Sequence, residues 1–330
     1  MNISDGGGEF ALIERIKKLI SIMGSEVVVG IGDDAAVIKT KSPNEYLLVT
    51  TDTLVVGQHF HTEWSSARKI GIKCAECNVS DIAAMGGKPT FLFVSLALPW
   101  ETQVEWVEEL YHGLAEVCER YGVSILGGDT TQGPAEIISI TLLGKVDSAN
   151  LCLRNHAQQG DLLVVTGSLG ASAAGLHLQK SNLQVSPYLQ KRHLTPHCRL
   201  EVAQKIAPFV NAMIDISDGL ASEVNHICKK SKTGALIYAS KIPLHDFVIS
   251  AGEKLRLNPL DFALYGGEDF ELLFSIRPEK LTKLDNMGIQ YHVVGKVTDP
   301  NDGRYLITMA GEKVELGTSF HHFKKRMGKI

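Results

Sequence analysis

No apolar run in the 330 residues approaches the roughly 20 needed to span a bilayer, so no segment reads as a membrane span. Met1 to Glu9 is polar and glycine-rich and lacks the apolar centre of a secretory leader, which sets the expectation of a cytoplasmic protein. Cysteine is sparse. Six scattered residues do not make a disulfide framework in a chain this long, and they read as free thiols. Cys74 and Cys77 have no second pair to complete a zinc site and read as packing residues. Positive charge is not in excess either. With a net charge of −4, and Lys and Arg clustered only at Lys324-Lys325-Arg326, a surface that tracks nucleic-acid phosphates is excluded. Also missing are a Gly-x-x-x-x-Gly-Lys-Ser/Thr loop, a protein-kinase catalytic loop and a calcium loop of Asp-x-Asp-x-Asp-Gly spacing.

What the chain has is acid in turns. Five short segments of glycine, hydroxyl and acidic residues follow or flank apolar, β-rich runs. They are Gly30-Ile31-Gly32-Asp33-Asp34, Thr50-Thr51-Asp52, Gly127-Gly128-Asp129-Thr130-Thr131, Asp215-Ile216-Ser217-Asp218-Gly219-Leu220 and Gly266-Gly267-Glu268-Asp269, with Asp81 a further acid in Asn78-Val79-Ser80-Asp81. Any one of them is ordinary turn chemistry, because Gly supplies positive φ and Asp bonds its own backbone. Five together point to a shared site. Carboxylates gathered at strand ends repel one another unless a cation neutralises them, and hard oxygen donors suit magnesium, whose remaining ligands are commonly phosphates.

Gly30 to Ala35 imitates a dinucleotide fingerprint, with Asp52 following at about the customary twenty residues. That reading fails because Ala35-Ala36-Val37-Ile38-Lys39 continues as strand, so no helix N-terminus follows the glycines to attract pyrophosphate.

Length favours two domains of about 150 residues each, and helices and strands mix in both halves. The expectation is a mixed α+β fold with an N-terminal domain over residues 1–148, a C-terminal domain over 149–330 and the site between them. Helices are expected at Phe10–Ile22, Ser65–Met85, Val104–Tyr121, Ala171–Gln179, Arg199–Ile206, Leu220–Lys230 and Pro278–Met287. Strands are expected at Val27–Gly30, Ala35–Lys39, Tyr46–Thr51, Phe91–Leu98, Val123–Leu126, Ile137–Val146, Leu162–Thr166, Ala212–Ile216, Ala235–Ile242, Phe270–Ile276 and Tyr291–Val297, while Lys180 to Pro196 reads as an exposed connection. Asp81 falls near the end of a long helix, where a carboxylate is disfavoured by the helix field and needs another reason to be present.

The ordered set Gly8-Glu9-Phe10, Gly32-Asp33-Asp34-Ala35-Ala36, Thr51-Asp52-Thr53-Leu54-Val55 with His59-Phe60, Asn78 to Gly86, Gly127 to Thr131, Asp215 to Leu220 and Tyr265 to Phe274 resembles thiamine-monophosphate kinase, a family of the superfamily of aminoimidazole ribonucleotide synthetase and selenophosphate synthetase. The resemblance implies an ATP-dependent phosphorylation of thiamine monophosphate to thiamine diphosphate by direct in-line transfer, with no general base. It implies several magnesium ions held by Asp33, Thr50, Thr51, Asp52, Asp81, Asp129, Asp215 and Asp218. Nucleotide contacts are implied for Tyr111, Gly128, Asp129, Arg154 and Ser217, and acceptor contacts for His59, Glu268 and Phe320. A homodimer formed through the N-terminal sheets is implied as well. The chain departs from the family pattern at His156, Gln159, Ala171 and the Ser319–Phe323 ending. The alternatives are a superfamily enzyme with a different acceptor and a non-enzymatic module that binds nucleotide or divalent cations.

Overall fold

Two long strands in which buried and open side chains alternate organise the first half of the chain, the mark of a sheet covered on one face. The computed structural model describes residue 3 and residues 8–21 and 24–317. In chain order the first half holds α1 (Gly8–Leu19), β1 (Val27–Val29), β2 (Ala36–Lys39), β3 (Glu45–Val55), α2 (Ala67–Ala84), β4 (Lys88–Leu98), α3 (Val104–Tyr121), β5 (Ser124–Gln132) and β6 (Ile137–Asp147). The sheet order is β1-β2-β3-β6-β4-β5, antiparallel except for the β4–β5 pair. Leu48, Thr50 and Leu54 of β3 share the covered face with Ile138, Ile140 and Leu142 of β6. Phe91 and Phe93 lie exposed on the other.

The second half holds β7 (Leu162–Thr166), α4 (Ala171–Lys180), α5 (Pro187–Leu194), α6 (Leu200–Ile206), β8 (Ala212–Asp215), α7 (Leu220–Ser231), β9 (Gly234–Tyr238), α8 (Asp246–Leu255), α9 (Pro259–Tyr265), β10 (Leu272–Ile276), α10 (Leu281–Asn286), β11 (Tyr291–Thr298), β12 (Arg304–Ile307) and β13 (Lys313–Glu315). Its sheet runs β13-β12-β9-β11-β7-β10-β8. β7, β8 and β10 are buried almost throughout, as their largely apolar sequences lead one to expect.

Between the sheets lies α2. It packs on β3, β4, β6 and α3 on one side and on α6 and β8 on the other, so nearly all of its residues are buried. One apolar core therefore runs from Leu48 and Leu142 through Cys74, Val79 and Ile82 to Met213 and Phe274.

The fold differs from the sequence expectation in several places, and α8, α9, β12 and β13 have no counterpart in it at all. Thr50-Thr51-Asp52 is no turn but the middle of the eleven-residue β3, and Gly127 to Gln132 continues β5 beyond Leu126. Glycine is required there because a β-carbon on Gly128 would collide with the Val94 carbonyl across a register shift in β4. The polar connection after Lys180 contains α5, begun by Ser186, whose hydroxyl accepts from Leu189 N at 3.3 Å, and by Pro187 in the first turn.

Candidate functional site

Three carboxylates converge where α2 meets both sheets. Asp34 sits in the bend before β2, Asp81 in the last turn of α2 and Asp215 at the end of β8, and each offers an oxygen within 4.8 Å of the other two. Hydroxyl groups from neighbouring elements aim them: Thr50 Oγ1 donates to Asp81 Oδ2 at 2.5 Å, and Ser80 Oγ donates to Asp215 Oδ2 at 2.7 Å. Asp52, one step along β3 on the face that carries Thr50, stands beside this group. Burial pushes Asp52 up to about 6, with the Asp34 charge adding to the effect. Burial pushes Asp215 up to about 8, again with Asp34 adding. Asp81 rises well above its ordinary value through burial and through Asp52, Asp215 and Asp34. Ionisation of these acids is disfavoured because water has been removed and no sufficient positive charge has replaced it.

Arg154 answers part of that charge. Its Nε donates to Asp34 Oδ2 at 3.3 Å, its Nη2 grips Asp34 Oδ1, and its backbone N–H donates to Asp33 Oδ2 at 3.3 Å. Burial, reinforced by Asp34, still pushes Asp33 up to about 7. Lys230 stands over the same bend, so that a β-carbon at Gly32 would collide with its ammonium group, and Lys17 lies just beyond. The lysine tip could move aside, but Gly32 at φ 122° adopts a conformation disfavoured for a residue with a side chain.

A cavity of about 460 Å³ adjoins the carboxylates and is lined by Asp52, His59, Ser217, Asp218 and Glu268, with His177, Lys180 and Tyr265 among its other walls. His59 Nδ1 accepts from Val55 N–H at 3.0 Å, which leaves its proton on Nε2. The Glu268 carboxylate is ion-paired to Lys73 Nζ at 2.8 Å and lies 3.5 Å from His193 Nδ1. Burial pushes its pKa up, yet Lys73 and His193 outweigh that and hold it below the usual carboxylate value. Asp218 N–H donates to Glu223, whose buried carboxyl is raised by burial and by Asp218.

The structure thus gathers Thr50, Asp52, Asp81, Asp215, Asp218, Arg154, Ser217, His59 and Glu268 of the sequence-based set. Of the two adjacent acids in the first turn, Asp34 joins the three-carboxylate group, and Asp33 accepts from the Arg154 backbone N–H at 3.3 Å. Strand alternation puts the Thr51 side chain on the open face, where its hydroxyl donates to the Ile140 carbonyl at 3.0 Å. Asp129 also stands apart. It pairs through Ser95 and Ser139 to Thr53, three strands and about 14 Å away, on the open face. Gly128 lies beside it on β5. Tyr111 lies on α3, half-buried against the main core, next to Leu110, whose carbonyl approaches Gly71 ten residues before Asp81 on α2. Phe320 lies outside the described residues. Sequence reasoning missed Asp34, Ser80, Glu223, Lys73 and Lys230. For Asp34 and Ser80 the signal was available, as both lie inside the motifs that stood out; for Lys73 and Lys230 none was.

Comparison with known proteins places this geometry. Residues 32–146 match the N-terminal domain and residues 158–307 the C-terminal domain of AIR synthase related protein, so the fold is two such mixed α/β domains. Thiamine-monophosphate kinase of Buchnera aphidicola subsp. Schizaphis graminum is 35% identical over 326 residues, covering 96% of this chain and 98% of that protein. The Bacillus subtilis enzyme of the same name is 35% identical over 329 residues, covering 96% and 99%. Among solved structures, AaThiL complexed with AMPPCP and TMP is similar with a TM-score of 0.87 and 34% identity over 98% of this chain and 99% of that one. The chain belongs to the thiamine-monophosphate kinase family and is a kinase.

Proposed function

We propose that this kinase transfers the γ-phosphoryl group of ATP to the phosphate of thiamine monophosphate, giving ADP and thiamine diphosphate. The observation that carries the reading is the contact between two unlike sites. A cluster of under-neutralised carboxylates opens, through Asp52, into a pocket lined by His59 and Glu268. The relatives' name and the nucleotide analogue in the similar structure support the same assignment.

Asp34, Asp81 and Asp215, with Asp52 and Asp218 beside them, form an all-oxygen donor set that fits magnesium. Bound there, magnesium would supply the positive charge that lets two polyanions approach. The residues do the rest. Thr50 and Ser80 fix the carboxylates, Arg154 restrains the bend that carries Asp33 and Asp34, and Lys230 and Lys17 set ammonium groups over Gly32 of that bend, where they would meet an anionic substrate. Glu268 offers a carboxylate to the cationic thiazolium and His59 an N–H to the acceptor. The acceptor phosphate, whose second pKa is about 6, attacks as an anion, so the new P–O bond forms in line as the bond to ADP breaks and no base is needed.

Asp129 and Gly128 join this scheme through a second copy. We place a homodimer contact on the open face of the first sheet, where Phe91, Phe93 and Leu126 are exposed and where Asp129 projects. Six free, buried cysteines fit a reducing cytoplasm.

Product analysis with ATP and thiamine monophosphate tests the reading. ADP and thiamine diphosphate should form in equal amounts and stop forming when divalent cations are removed by chelation. Nucleotide hydrolysis indifferent to thiamine monophosphate would instead favour another acceptor.

A further inference from the structure

Lys73 is the most deeply buried cation in the acceptor region. Its side chain is 3% exposed, and it lies on α2 two turns before Asp81. A lysine in that position has lost its hydration and must be held by compensating acceptors. It has two. Nζ donates to the His59 carbonyl at 2.9 Å and pairs with Glu268 Oε1 at 2.8 Å. One ammonium group thus ties together the two acceptor-side residues that line the pocket, one on the turn after β3 and the other in the second half of the chain. The far side of Glu268 is held from α5 and α4. His193 Nδ1 lies 3.5 Å from Glu268 Oε2 and 3.0 Å from the Ser172 hydroxyl, which itself lines the pocket. Glu268 also needs such restraint in its backbone, because it sits at φ 57°, where a side chain is disfavoured, with its N–H bonded to Ser217 O at 2.8 Å.

We propose that Lys73 is a positioning residue for the acceptor. It fixes the Glu268 carboxylate and the His59 turn at one separation, and so sets affinity for the thiamine end of the substrate without contacting the transferred phosphoryl group. This rests on the reading of the pocket as the thiamine monophosphate site. Because Lys73 neutralises Glu268 beforehand, the carboxylate's remaining lone pairs present a directed acceptor to the ligand and not a bare buried charge. A smaller or neutral side chain at position 73 frees both Glu268 and the His59 turn.

Steady-state kinetics with both substrates varied, on the full-length chain, test this. Lys73→Met should raise KM for thiamine monophosphate by roughly tenfold or more while KM for ATP–magnesium stays within about twofold, and Lys73→Arg should recover most of the loss. Glu268→Gln should raise the same KM, and adding Lys73→Met to it should change little further, because the lysine acts through that carboxylate. The double variant leaves no unpaired buried charge, so its comparison with Glu268→Gln remains decisive if Lys73→Met alone does not fold. If Glu268→Gln leaves KM for thiamine monophosphate unchanged, the pocket reading falls and takes this proposal with it. If Glu268→Gln raises it but Lys73→Met does not, or the two effects add in full, the pocket reading stands and the positioning role is overturned. Equal losses in both KM values would overturn it as well, by showing a general structural defect.

Discussion

Two groups of carboxylates set inside this chain differ in what surrounds them. Glu271, 1% exposed, meets Arg199 through two contacts of 2.6 Å, Arg192 at 3.0 Å and the Thr166 hydroxyl at 2.6 Å. Glu76, fully buried on α2, meets Arg120 at 2.5 Å, the Tyr121 hydroxyl and Cys198 N–H. Each of these acids brings its own cation. Asp215 is buried and Asp52 and Asp81 are half-buried, yet among the described residues they have hydroxyl donors or each other for neighbours and no lysine or arginine at ion-pair distance. A protein can keep a buried charge by pairing it or leave it to be paired by a ligand. The first choice builds structure and the second builds a binding site, and substitutions should separate the two.

The largest contrast is expected in activity. Asp81→Asn and Asp215→Asn should each lower turnover by about a thousandfold or more while leaving the unliganded protein's melting temperature equal or higher, since each removes a repelling charge. Melting curves and single-turnover assays on the same preparations check both halves of that statement. Glu271→Gln should do the opposite. It strands two arginines in a buried setting and should cost about 3–5 kcal/mol of stability, with near-normal turnover in the fraction that stays folded. A Glu271 variant as stable as the parent but inactive would erase the distinction.

A smaller effect concerns pH. Asp33, Asp52 and Asp215 have folded-state values of about 7, 6 and 8 against an ordinary 3.8, so the folded chain binds more protons than the unfolded one. Their stabilising contribution is complete below pH 3.8 and is lost as pH rises through 6 to 8. Unliganded protein should therefore melt lower at pH 8.5 than at pH 6, magnesium should narrow the gap, and Asp215→Asn should narrow it without magnesium. Smallest of all, Lys230→Met should raise KM for ATP–magnesium by about threefold, as expected for a half-exposed ammonium near phosphate. No change in KM for ATP would remove Lys230 from the nucleotide side.

The same contrast explains what could be read from the sequence. The acid-bearing motifs announced themselves because the same turn chemistry recurs five times along the chain, and the long strands and helices followed from alternation and helical spacing. Boundaries were lost where a motif lies within an element: Thr50-Thr51-Asp52 sits mid-strand because β6 pairs with β3 along its whole length, and Gly127-Gly128 stays in β5 because both pair with β4, which at Gly128 leaves no room for a side chain. Which of Asp33 and Asp34 faces Asp81 and Asp215 depends on the direction of the chain through the bend, which adjacent identical residues do not encode. The Lys73–Glu268 tie joins positions almost two hundred residues apart, and only folding reveals it. Glu271 and Glu76 looked no more structural in the sequence than Asp81 looked functional, because the arginines that neutralise the first two come from other elements.

Magnesium binding should release protons, since carboxyls with raised pKa must ionise to become ligands. Calorimetric titration of magnesium with a non-hydrolysable ATP analogue, at pH 6.5 in buffers of different ionisation enthalpy, measures that release directly. The account predicts a net proton release on binding that is lost or sharply reduced in Asp81→Asn and Asp215→Asn. Binding with the same heat in every buffer, or binding equally tight in both variants, would contradict the claim that these unpaired carboxylates are the cation site.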